Sequence, residues 1–277
     1  MYKDLKGKTA LVTGAAKKTG IGYAIARKLA SCGTDVVIAD LAKEEGGNPL
    51  ITVTPAGMAE LAKSLSEEFN IKAVPLNLDV TKSDSVEKMA ARIKKEFGTV
   101  DILCNNAGSV FGVPNAAHTY DEGAWMKTFD VNLHGAFRVS KAIVPLMMDK
   151  GGNIVNTASK AAKSPPLFNS AYAVTKAGLV MLTRVMAREL AGMGIRVNAV
   201  CPGVIDTDFT QWRFDLEAKV LGTTPAIQEE EMSKTIPLGR LGTTDEVANI
   251  VAFLASSESS YMTGQALNAT GGQLMEA

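Results

Sequence analysis

The chain is poor in the residues that build metal sites and disulfide frameworks. Its 277 residues include three cysteines and two histidines. Cys32, Cys104 and Cys201 lie far apart among apolar or small residues, which is typical of reduced thiols in a core. His118 and His134 have no Cys, His or carboxylate partner at ligand spacing. The sequence therefore argues against a zinc site and against a Ser-His-Asp triad.

An excess of charge of either sign is also absent. Lys plus Arg and Asp plus Glu number 29 each, so nothing indicates a nucleic acid or a membrane surface as a partner. No apolar run approaches the roughly 18 residues of a membrane span, and residues 1–8 carry charges where a secretory signal would be apolar. We therefore expect a cytoplasmic protein without nucleic-acid or membrane partners.

Short runs rich in Val and Ile alternate with longer helical patterns along the whole chain. Strands are predicted at residues 9–13, 35–39, 73–78, 100–104, 153–157, 196–200 and 266–268. Helices are predicted at residues 21–31, 56–69, 83–97, 121–148, 171–193 and 245–255. Repeated βα units predict an α/β fold with a parallel sheet and helices on both faces. Residues 1–277 are expected to form a single domain that binds a dinucleotide and carries the catalytic site.

Two segments fit this regular alternation less well. Residues 41–53 form a longer connection between strand and helix than a compact βα unit needs. Residues 208–236 combine a helical middle with Gly and Pro at several points, which is typical of a lid or a binding loop. Phe209, Trp212 and Phe214 in this segment could line a substrate pocket, or they could pack a lid helix onto the sheet.

Residues 13–22 connect the first predicted strand to the first predicted helix. Gly14, Gly20 and Gly22 would let the backbone approach a pyrophosphate, and free N–H groups where the helix begins at Ile21 would attract its charge. Tight turns use the same residues, so the glycines alone do not decide between the two interpretations. The position of the cluster between a strand and a helix favours a dinucleotide site.

The cofactor choice depends on three charged residues. Asp40 ends the second strand, where an acid can accept hydrogen bonds from the adenosine ribose hydroxyls. A 2′-phosphate would meet a like charge there, so Asp40 favours NAD. Lys17 and Lys18 in the glycine turn could pair with that phosphate, which keeps NADP open.

A tyrosine and a lysine stand four residues apart in the helical pattern over residues 171–193. A four-residue step returns to the same helix face, so Tyr172 and Lys176 are expected to lie side by side. An unperturbed tyrosine titrates near pH 10, and a neighbouring cation favours its phenolate. Lys176 is therefore expected to lower the pKa of Tyr172, although the same spacing also occurs where a lysine stem merely packs along a ring.

Several short motifs follow one another in a fixed order along the chain. They are residues 13–22, Asn105-Asn106-Ala107-Gly108, Asn132, Ser159, Tyr172 with Lys176, and Pro202-Gly203. In this order they resemble the short-chain dehydrogenase/reductase family, from Gly7 to Gly272. The resemblance implies a Rossmann-type doubly wound sheet of about seven strands in the order 3-2-1-4-5-6-7, with cofactor and substrate along its carboxyl edge.

The resemblance also implies roles for the residues that match its motifs. Tyr172 would be the general acid/base, Ser159 would polarise the substrate oxygen, and Lys176 would hold the nicotinamide ribose. Asn132 would anchor a water that links Lys176 to solvent. The expected cofactor-binding residues are Gly14, Lys17, Gly20, Ile21, Gly22, Asp40, Asp79, Val80, Asn106, Ala107, Gly108, Tyr172, Lys176, Pro202, Gly203, Ile205 and Thr207.

The chain departs from the family pattern at two places. Five residues separate Gly14 from Gly20, where the family usually has three, and a longer turn resembles the enoyl reductase branch. That branch spaces Tyr and Lys more widely than four residues. The second departure is Thr270, where family members often carry Asp.

The leading prediction is an NAD(P)-dependent oxidoreductase that interconverts a secondary alcohol and a ketone. An enoyl-type reductase of carbon–carbon double bonds and a catalytically silent dinucleotide sensor remain alternatives. Residues 109–115, 165–169 and 208–236 are the candidate substrate walls. The helices from Asp121 and Ala171 are expected to face another subunit in a homodimer or homotetramer, although Met181, Ala187 and Ala191 could equally lie in the core.

Overall fold

The computed structural model describes residues 2–44 and 52–276. Within those ranges seven strands form one sheet in the order β3-β2-β1-β4-β5-β6-β7, and every neighbouring pair is parallel. The strands are β1 Thr9–Thr13, β2 Asp35–Asp40, β3 Ala73–Asn77, β4 Ile102–Asn105, β5 Gly152–Thr157, β6 Ile195–Pro202 and β7 Ala266–Ala269. The predicted fold class, strand order and parallel pairing are therefore confirmed.

Nine α-helices lie within the same described ranges. They are α1 Ile21–Ser31, α2 Pro55–Phe69, α3 Ser83–Phe97, α4 Glu122–Phe129, α5 Gly135–Ile143, α6 Ser170–Leu190, α7 Asp208–Leu221, α8 Pro225–Lys234 and α9 Thr244–Ala255. Most predicted boundaries agree with these to within two or three residues. None of the helices is both long and apolar enough to span a bilayer.

The helices divide between the two faces of the sheet because successive strand side chains point in opposite directions. Val12 of β1 belongs to a core that includes Ile25 of α1 and Val251 of α9. Its neighbour Leu11 belongs to a second core with Ile93 of α3 and Ile143 of α5. The strands are thus buried on both faces, which explains their continuous Val- and Ile-rich runs.

The strand order places the crevice of the sheet between β1 and β4. The chain runs from β1 outward to β2 and β3, then returns to β4 on the other side of β1. In open α/β sheets ligands bind at such a reversal, outside the carboxyl ends of the strands. The fold therefore positions the turn after β1, the end of β2 and the segment after β4 around one groove.

The prediction of a single helix over residues 121–148 is wrong. Helix α4 ends at Phe129, Asp130–His134 forms one π-helical turn, and α5 begins at Gly135, whose N–H donates to the Asp130 carbonyl. A π turn inserts one residue into the helical repeat and is frequent at functional sites. The side chain of Asn132 lies in this turn.

The long connection after β2 is described only at its ends. Ala42 and Val53 form a parallel bridge, and the Lys43 N–H donates to the Val53 carbonyl at 2.9 Å. Residues 45–51, with the Gly46-Gly47-Asn48-Pro49 sequence, lie outside the described residues.

The three cysteines are free and buried.

Candidate active site

The glycine turn packs backbone directly against backbone. Gly14 has φ of +65°, and a Cβ added there would lie 2.8 Å from the Ala107 Cα. A Cβ added to Gly22 would lie 2.1 Å from the Gly14 carbonyl oxygen, closer than real Cβ contacts allow. The absence of side chains at these two positions leaves a cradle of bare backbone at the start of α1, which suits a pyrophosphate.

The segment after β4 is hydrogen-bonded to this turn. Asn106 Nδ2 donates to the carbonyl oxygens of Thr13 and Gly14, at 3.1 Å each. In return, Thr13 Oγ1 accepts from the N–H groups of Asn106 and Ala107 at 3.0 Å each. Thr13 was not among the predicted site residues, although its place at the end of β1 was a usable signal. The hydrogen bonds of Thr13 fix the distance between the turn after β1 and the segment after β4.

Asp40 is fixed by the backbone around it. Its Oδ2 accepts from the Ala16 N–H at 2.9 Å, and its Oδ1 accepts from the Leu41 N–H at 2.8 Å. Burial raises the pKa of Asp40, while these two hydrogen bonds and the charge of Lys17 oppose the rise. The carboxylate thus both orients the glycine turn and faces the groove with its remaining lone pairs.

The two lysines of the turn lie in different surroundings. Lys17 lines the groove, and burial lowers its pKa while the charges of Asp208 and Asp40 oppose that shift. Lys18 is exposed and does not line the groove. Only Lys17 is therefore placed to meet a bound dinucleotide, and two carboxylates already compensate its charge.

Eleven of the predicted cofactor-binding residues line one groove of about 500 Å³. They are Gly14, Lys17, Gly20, Ile21, Gly22, Asp40, Asp79, Val80, Asn106, Ala107 and Gly108. The Asp79 carboxylate is oriented by Thr81, whose N–H and hydroxyl donate to Oδ1 at 2.9 and 2.7 Å.

Of the six remaining predicted cofactor residues, Tyr172 and Lys176 lie on α6, and the other four lie at the end of β6, two strands further along the edge. Pro202 ends β6, and the Gly203 N–H donates to the Ala269 carbonyl at 2.9 Å. Ile205 is buried and pairs with Gly242 in a short parallel bridge. Thr207 caps α7 by accepting from the Thr210 N–H. The structure thus distributes the predicted cofactor residues over the groove, helix α6 and the segment after β6.

Tyr172 and Lys176 lie on one face of α6, as the spacing predicts. The Lys176 Nζ lies 5.6 Å from the centroid of the Tyr172 ring. It donates to the Thr157 carbonyl at 2.7 Å, and the side chain is buried. Burial lowers the pKa of Lys176 to about 8. Lys176 therefore carries a charge at neutral pH in a site from which water is largely excluded.

The expected lowering of the Tyr172 pKa by Lys176 is wrong for the chain by itself. Burial raises the pKa of Tyr172, and a hydrogen bond from Ser159 is the interaction that opposes the rise. The reason is geometric, because the Lys176 ammonium is directed at the Thr157 carbonyl. Desolvation of the phenol is therefore the largest effect on the pKa of Tyr172.

Asn132 is held by hydrogen bonds on both sides of its amide. Its Oδ1 accepts from the Ser109 N–H at 2.8 Å, and its Nδ2 donates to the Ser109 carbonyl at 2.9 Å and to Thr175 Oγ1 at 3.2 Å. A Cβ added to Gly108 would lie 3.3 Å from Asn132 Oδ1 and 3.5 Å from Lys176 Nζ. Asn132 and Lys176 therefore both approach Gly108, and the water link between them stays a prediction.

Ser159 follows β5 and caps the short helical turn Lys160–Ala162 by accepting from the Ala161 N–H at 3.1 Å. The structure thus brings Ser159, Tyr172, Lys176 and Asn132 together at the carboxyl ends of β4 and β5. This arrangement can transfer a proton to or from an oxygen held between Ser159 and Tyr172.

Two of the three candidate substrate walls are joined to each other. The Asn115 N–H donates to the Phe168 carbonyl at 3.1 Å, which joins residues 109–115 to residues 165–169. Residues 208–236 form two helices, α7 and α8, where one helical middle was predicted. Phe214 of α7 is fully buried against Ile236 and Leu241, so it packs the lid onto the body. Phe209 is 42% exposed, and its ring lies 5.4 Å from that of Trp212.

Comparison with known proteins identifies the class of protein that this fold and site define. A family model described as enoyl-(acyl carrier protein) reductase matches residues 14–273. The chain belongs to the short-chain dehydrogenase/reductase family. The relatives described below are oxidoreductases.

Individual relatives span nearly the whole chain. It is 38% identical to the uncharacterized oxidoreductase YxbG of Bacillus subtilis, over 97% of this chain and 91% of the relative. It is 38% identical to 3-oxoacyl-[acyl-carrier-protein] reductase FabG of Escherichia coli, over 98% and 99% of the two chains.

Solved structures give the same assignment. L-sorbose reductase from Gluconobacter frateurii, complexed with NADPH and L-sorbose, superposes with a TM-score of 0.89 at 29% identity, covering 100% of both chains. NAD+-bound xylitol dehydrogenase superposes with a TM-score of 0.85 at 32% identity, covering 97% of this chain and 99% of the other.

Proposed function

We propose that the protein is an NAD(P)-dependent oxidoreductase that interconverts a secondary alcohol and a ketone, with Tyr172 as general acid/base. The observation that carries this proposal is the convergence of Ser159, Tyr172 and Lys176 beside the groove that begins at the glycine turn. The domain of residues 1–277 acts as one catalytic unit, with a lid at about 208–236.

The groove fits a nicotinamide dinucleotide. The bare backbone at Gly14 and Gly22 leaves room for a pyrophosphate, and Asp40 presents acceptor lone pairs for ribose hydroxyls. When bound, the nicotinamide supplies or accepts the hydride. Lys176 would hold its ribose, and Thr207 and Ile205 its carboxamide.

The chain's own residues handle the proton. Ser159 would orient the substrate oxygen, and Tyr172 would donate a proton to it in reduction or remove one in oxidation. Lys176, charged at neutral pH, would stabilise the phenolate once the proton has left Tyr172. Asn132, whose amide is hydrogen-bonded to Ser109 and Thr175, would hold the water that returns the proton to solvent.

We propose NAD as the preferred cofactor. The Asp40 carboxylate lines the groove and would repel a 2′-phosphate, and the charge of Lys17 is opposed by those of Asp208 and Asp40. Both cofactors occur among similar structures, because the sorbose reductase was solved with NADPH and the xylitol dehydrogenase with NAD+. The choice in this chain therefore depends on its own charged residues.

We also propose a homodimer or homotetramer that uses α4, α5 and α6. Met126, Phe137 and Met181 on these helices are 54%, 51% and 55% exposed, which is unusual for large apolar side chains on neighbouring elements. Of the residues left open in the sequence, Ala187 is buried in the core whereas Met181 is exposed. Sedimentation equilibrium tests the assembly, and a monomer at micromolar concentration would contradict it.

The activity is tested with a panel of secondary alcohols and ketones, each run with NAD and with NADP and followed by cofactor absorbance. The panel includes an α,β-unsaturated thioester, because the longer glycine turn and the description of the matching family model favour an enoyl-type reductase. We expect alcohol oxidation and ketone reduction, with NAD preferred. Reduction of the double bond alone would support the second candidate, and dinucleotide binding without any turnover would support a silent sensor.

A further inference from the structure

The π turn Asp130–His134 contributes residues to both halves of the site. Asp130 and Val131 line the dinucleotide groove. The next residue, Asn132, exchanges two hydrogen bonds with the backbone of Ser109, at 2.8 and 2.9 Å. The turn therefore carries part of the groove wall directly beside the residue that is expected to relay the proton.

The segment after β3 forms the outer end of the same groove. Asp79 and Val80 line it, and β3 lies beyond β2 on the side away from β1. The glycine turn after β1 would take the pyrophosphate, and Asp40 at the end of β2 would take the adenosine ribose. The adenine is therefore expected further out along the edge, at Asp79 and Val80.

Arg138 of α5 joins this adenine end of the groove to the π turn. Its Nη1 donates to the Val80 carbonyl at 3.3 Å and to the Asp130 carbonyl at 3.4 Å. Its Nη2 forms an ion pair with Asp130 Oδ1 at 2.7 Å. The Arg138 side chain is 26% exposed, so solvent screens these contacts less than it screens a pair on an open surface.

A second contact holds the same two segments together. A Cβ added to Gly135, the first residue of α5, would lie 2.7 Å from Val80 Cγ2 and 3.3 Å from the Asp130 carbonyl oxygen. The backbone of α5 therefore packs directly on the buried side chain of Val80. The His134 Nδ1 lies 3.6 Å from Asp130 Oδ1, which is too far for a hydrogen bond that could replace the contact of Arg138.

Asn132 connects the π turn to the catalytic helix. Its Nδ2 donates to Thr175 Oγ1 at 3.2 Å, and Thr175 Oγ1 donates to the Tyr172 carbonyl at 2.8 Å. Thr175 directly precedes Lys176 in α6. A series of polar contacts thus leads from the adenine end of the groove through the π turn to α6.

We propose that Arg138 is a positioning residue for the reaction, which holds the π turn against the adenine end of the groove and thereby sets the position of Asn132. This inference rests on the proposed function. A residue that served only the fold would affect stability alone. Arg138 should instead affect two separate quantities, namely the affinity for the adenine half of the cofactor and the turnover that depends on Asn132.

Arg138→Met removes the guanidinium and keeps an apolar stem of similar length. We expect the dissociation constants of AMP and NADH, measured by calorimetry, to rise by about tenfold, because Val80 and Asp130 lose a charge-assisted partner. With NADH saturating, kcat for the best ketone of the panel should also fall by about tenfold, because Asn132 is displaced. Arg92→Met, which removes an exposed ion pair with Glu96, is the matched control and should change neither quantity.

Two further variants separate the ends of the Arg138 contact. Arg138→Lys can restore the ion pair with Asp130, but a single ammonium does not reproduce the planar fork that also reaches the Val80 carbonyl. It should therefore recover kcat more fully than it recovers AMP affinity. Asp130→Asn should lower kcat, and combining it with Arg138→Met should cause little further loss of kcat, since the two residues act as a pair.

Hydrogen exchange tests the positioning independently of turnover. In Arg138→Met, peptides that contain Val80, Ser109 and residues 130–134 should exchange faster than in the wild type, whereas peptides from the rest of the chain should not change. The comparison is made where circular dichroism shows that the variant is folded. Faster exchange throughout the chain would assign Arg138 a merely structural role and would overturn the proposal.

Two kinetic outcomes would also overturn it. Weaker AMP binding with an unchanged kcat would limit Arg138 to the groove, and a lower kcat with unchanged AMP affinity would separate it from the adenine end. The absence of turnover by the wild type across the whole panel would contradict the proposed function. In that case AMP binding and hydrogen exchange would still decide whether Arg138 holds the π turn against the groove.

Discussion

The dinucleotide side and the substrate side of the site differ in how their polar groups are satisfied. On the dinucleotide side, Asp40, Asp79 and Asn106 each bond to neighbouring backbone groups, so the groove is fixed before anything binds. On the substrate side, the buried Asn169 Oδ1 has no hydrogen-bond partner among the described residues, and Phe209 is 42% exposed. This difference indicates that the cofactor would bind to a surface that is already ordered, whereas the polar groups on the substrate side gain partners only when the substrate binds.

The largest effect should follow from filling the backbone cradle. Gly22→Ala places a Cβ 2.1 Å from the Gly14 carbonyl, and neither backbone segment can move away easily. We expect loss of dinucleotide binding and a decrease of about 3 kcal/mol in the free energy of unfolding. Gly192→Ala, which meets no atom within 4 Å, is the matched control for calorimetry and denaturation. Normal dinucleotide affinity in Gly22→Ala would contradict a preformed groove.

A comparable loss of stability on the substrate side should leave the groove intact. Phe214 is fully buried, so Phe214→Ala should lower the free energy of unfolding by about 3 kcal/mol. NADH affinity should change little, because Phe214 itself does not line the groove. Phe209→Ala, at an exposed neighbour on the same helix, should cost far less in urea denaturation. If the affinity for NADH falls in Phe214→Ala, the structure of the dinucleotide side depends on the packing of the substrate side, which would contradict the comparison.

The buried Lys176 should make stability depend on pH in a defined window. Burial lowers its pKa from 10.5 to about 8, so the unfolded chain binds the proton more tightly than the folded one. The destabilisation is complete below pH 8 and disappears as the pH rises through 10.5. Between these limits the wild type should gain about 3 kcal/mol relative to Lys176→Met. Urea denaturation of both proteins across this range measures the difference, and parallel pH profiles would be evidence against a lowered pKa.

The smallest effect should concern cofactor choice. Asp40→Asn keeps an oxygen that can accept from the backbone but removes the charge that would repel a 2′-phosphate. We expect the ratio of kcat/KM for NAD over NADP to fall by about tenfold. Lys17→Met should raise that ratio. If Asp40→Asn leaves the ratio unchanged, selectivity would have to be sought elsewhere in the turn.

The sequence predicted the fold and the dinucleotide side well because both depend on local patterns. A few consecutive residues are enough to recognise a buried parallel strand, the glycine turn, or Asp40 at the end of β2. The π turn at Asp130–His134 was missed because one inserted residue hardly alters a helical pattern. The direction of the Tyr172 pKa was missed because burial is a property of the folded chain.

Tyr172→Phe tests the central claim most directly, namely that the cluster beside the groove carries out proton transfer. The variant removes only the phenolic hydroxyl, so NAD and NADH affinities measured by calorimetry should equal those of the wild type. Turnover of the best substrate in the panel should fall by about a thousandfold. Tyr261→Phe, at a fully exposed tyrosine, should behave like the wild type. Wild-type turnover in Tyr172→Phe would contradict the account.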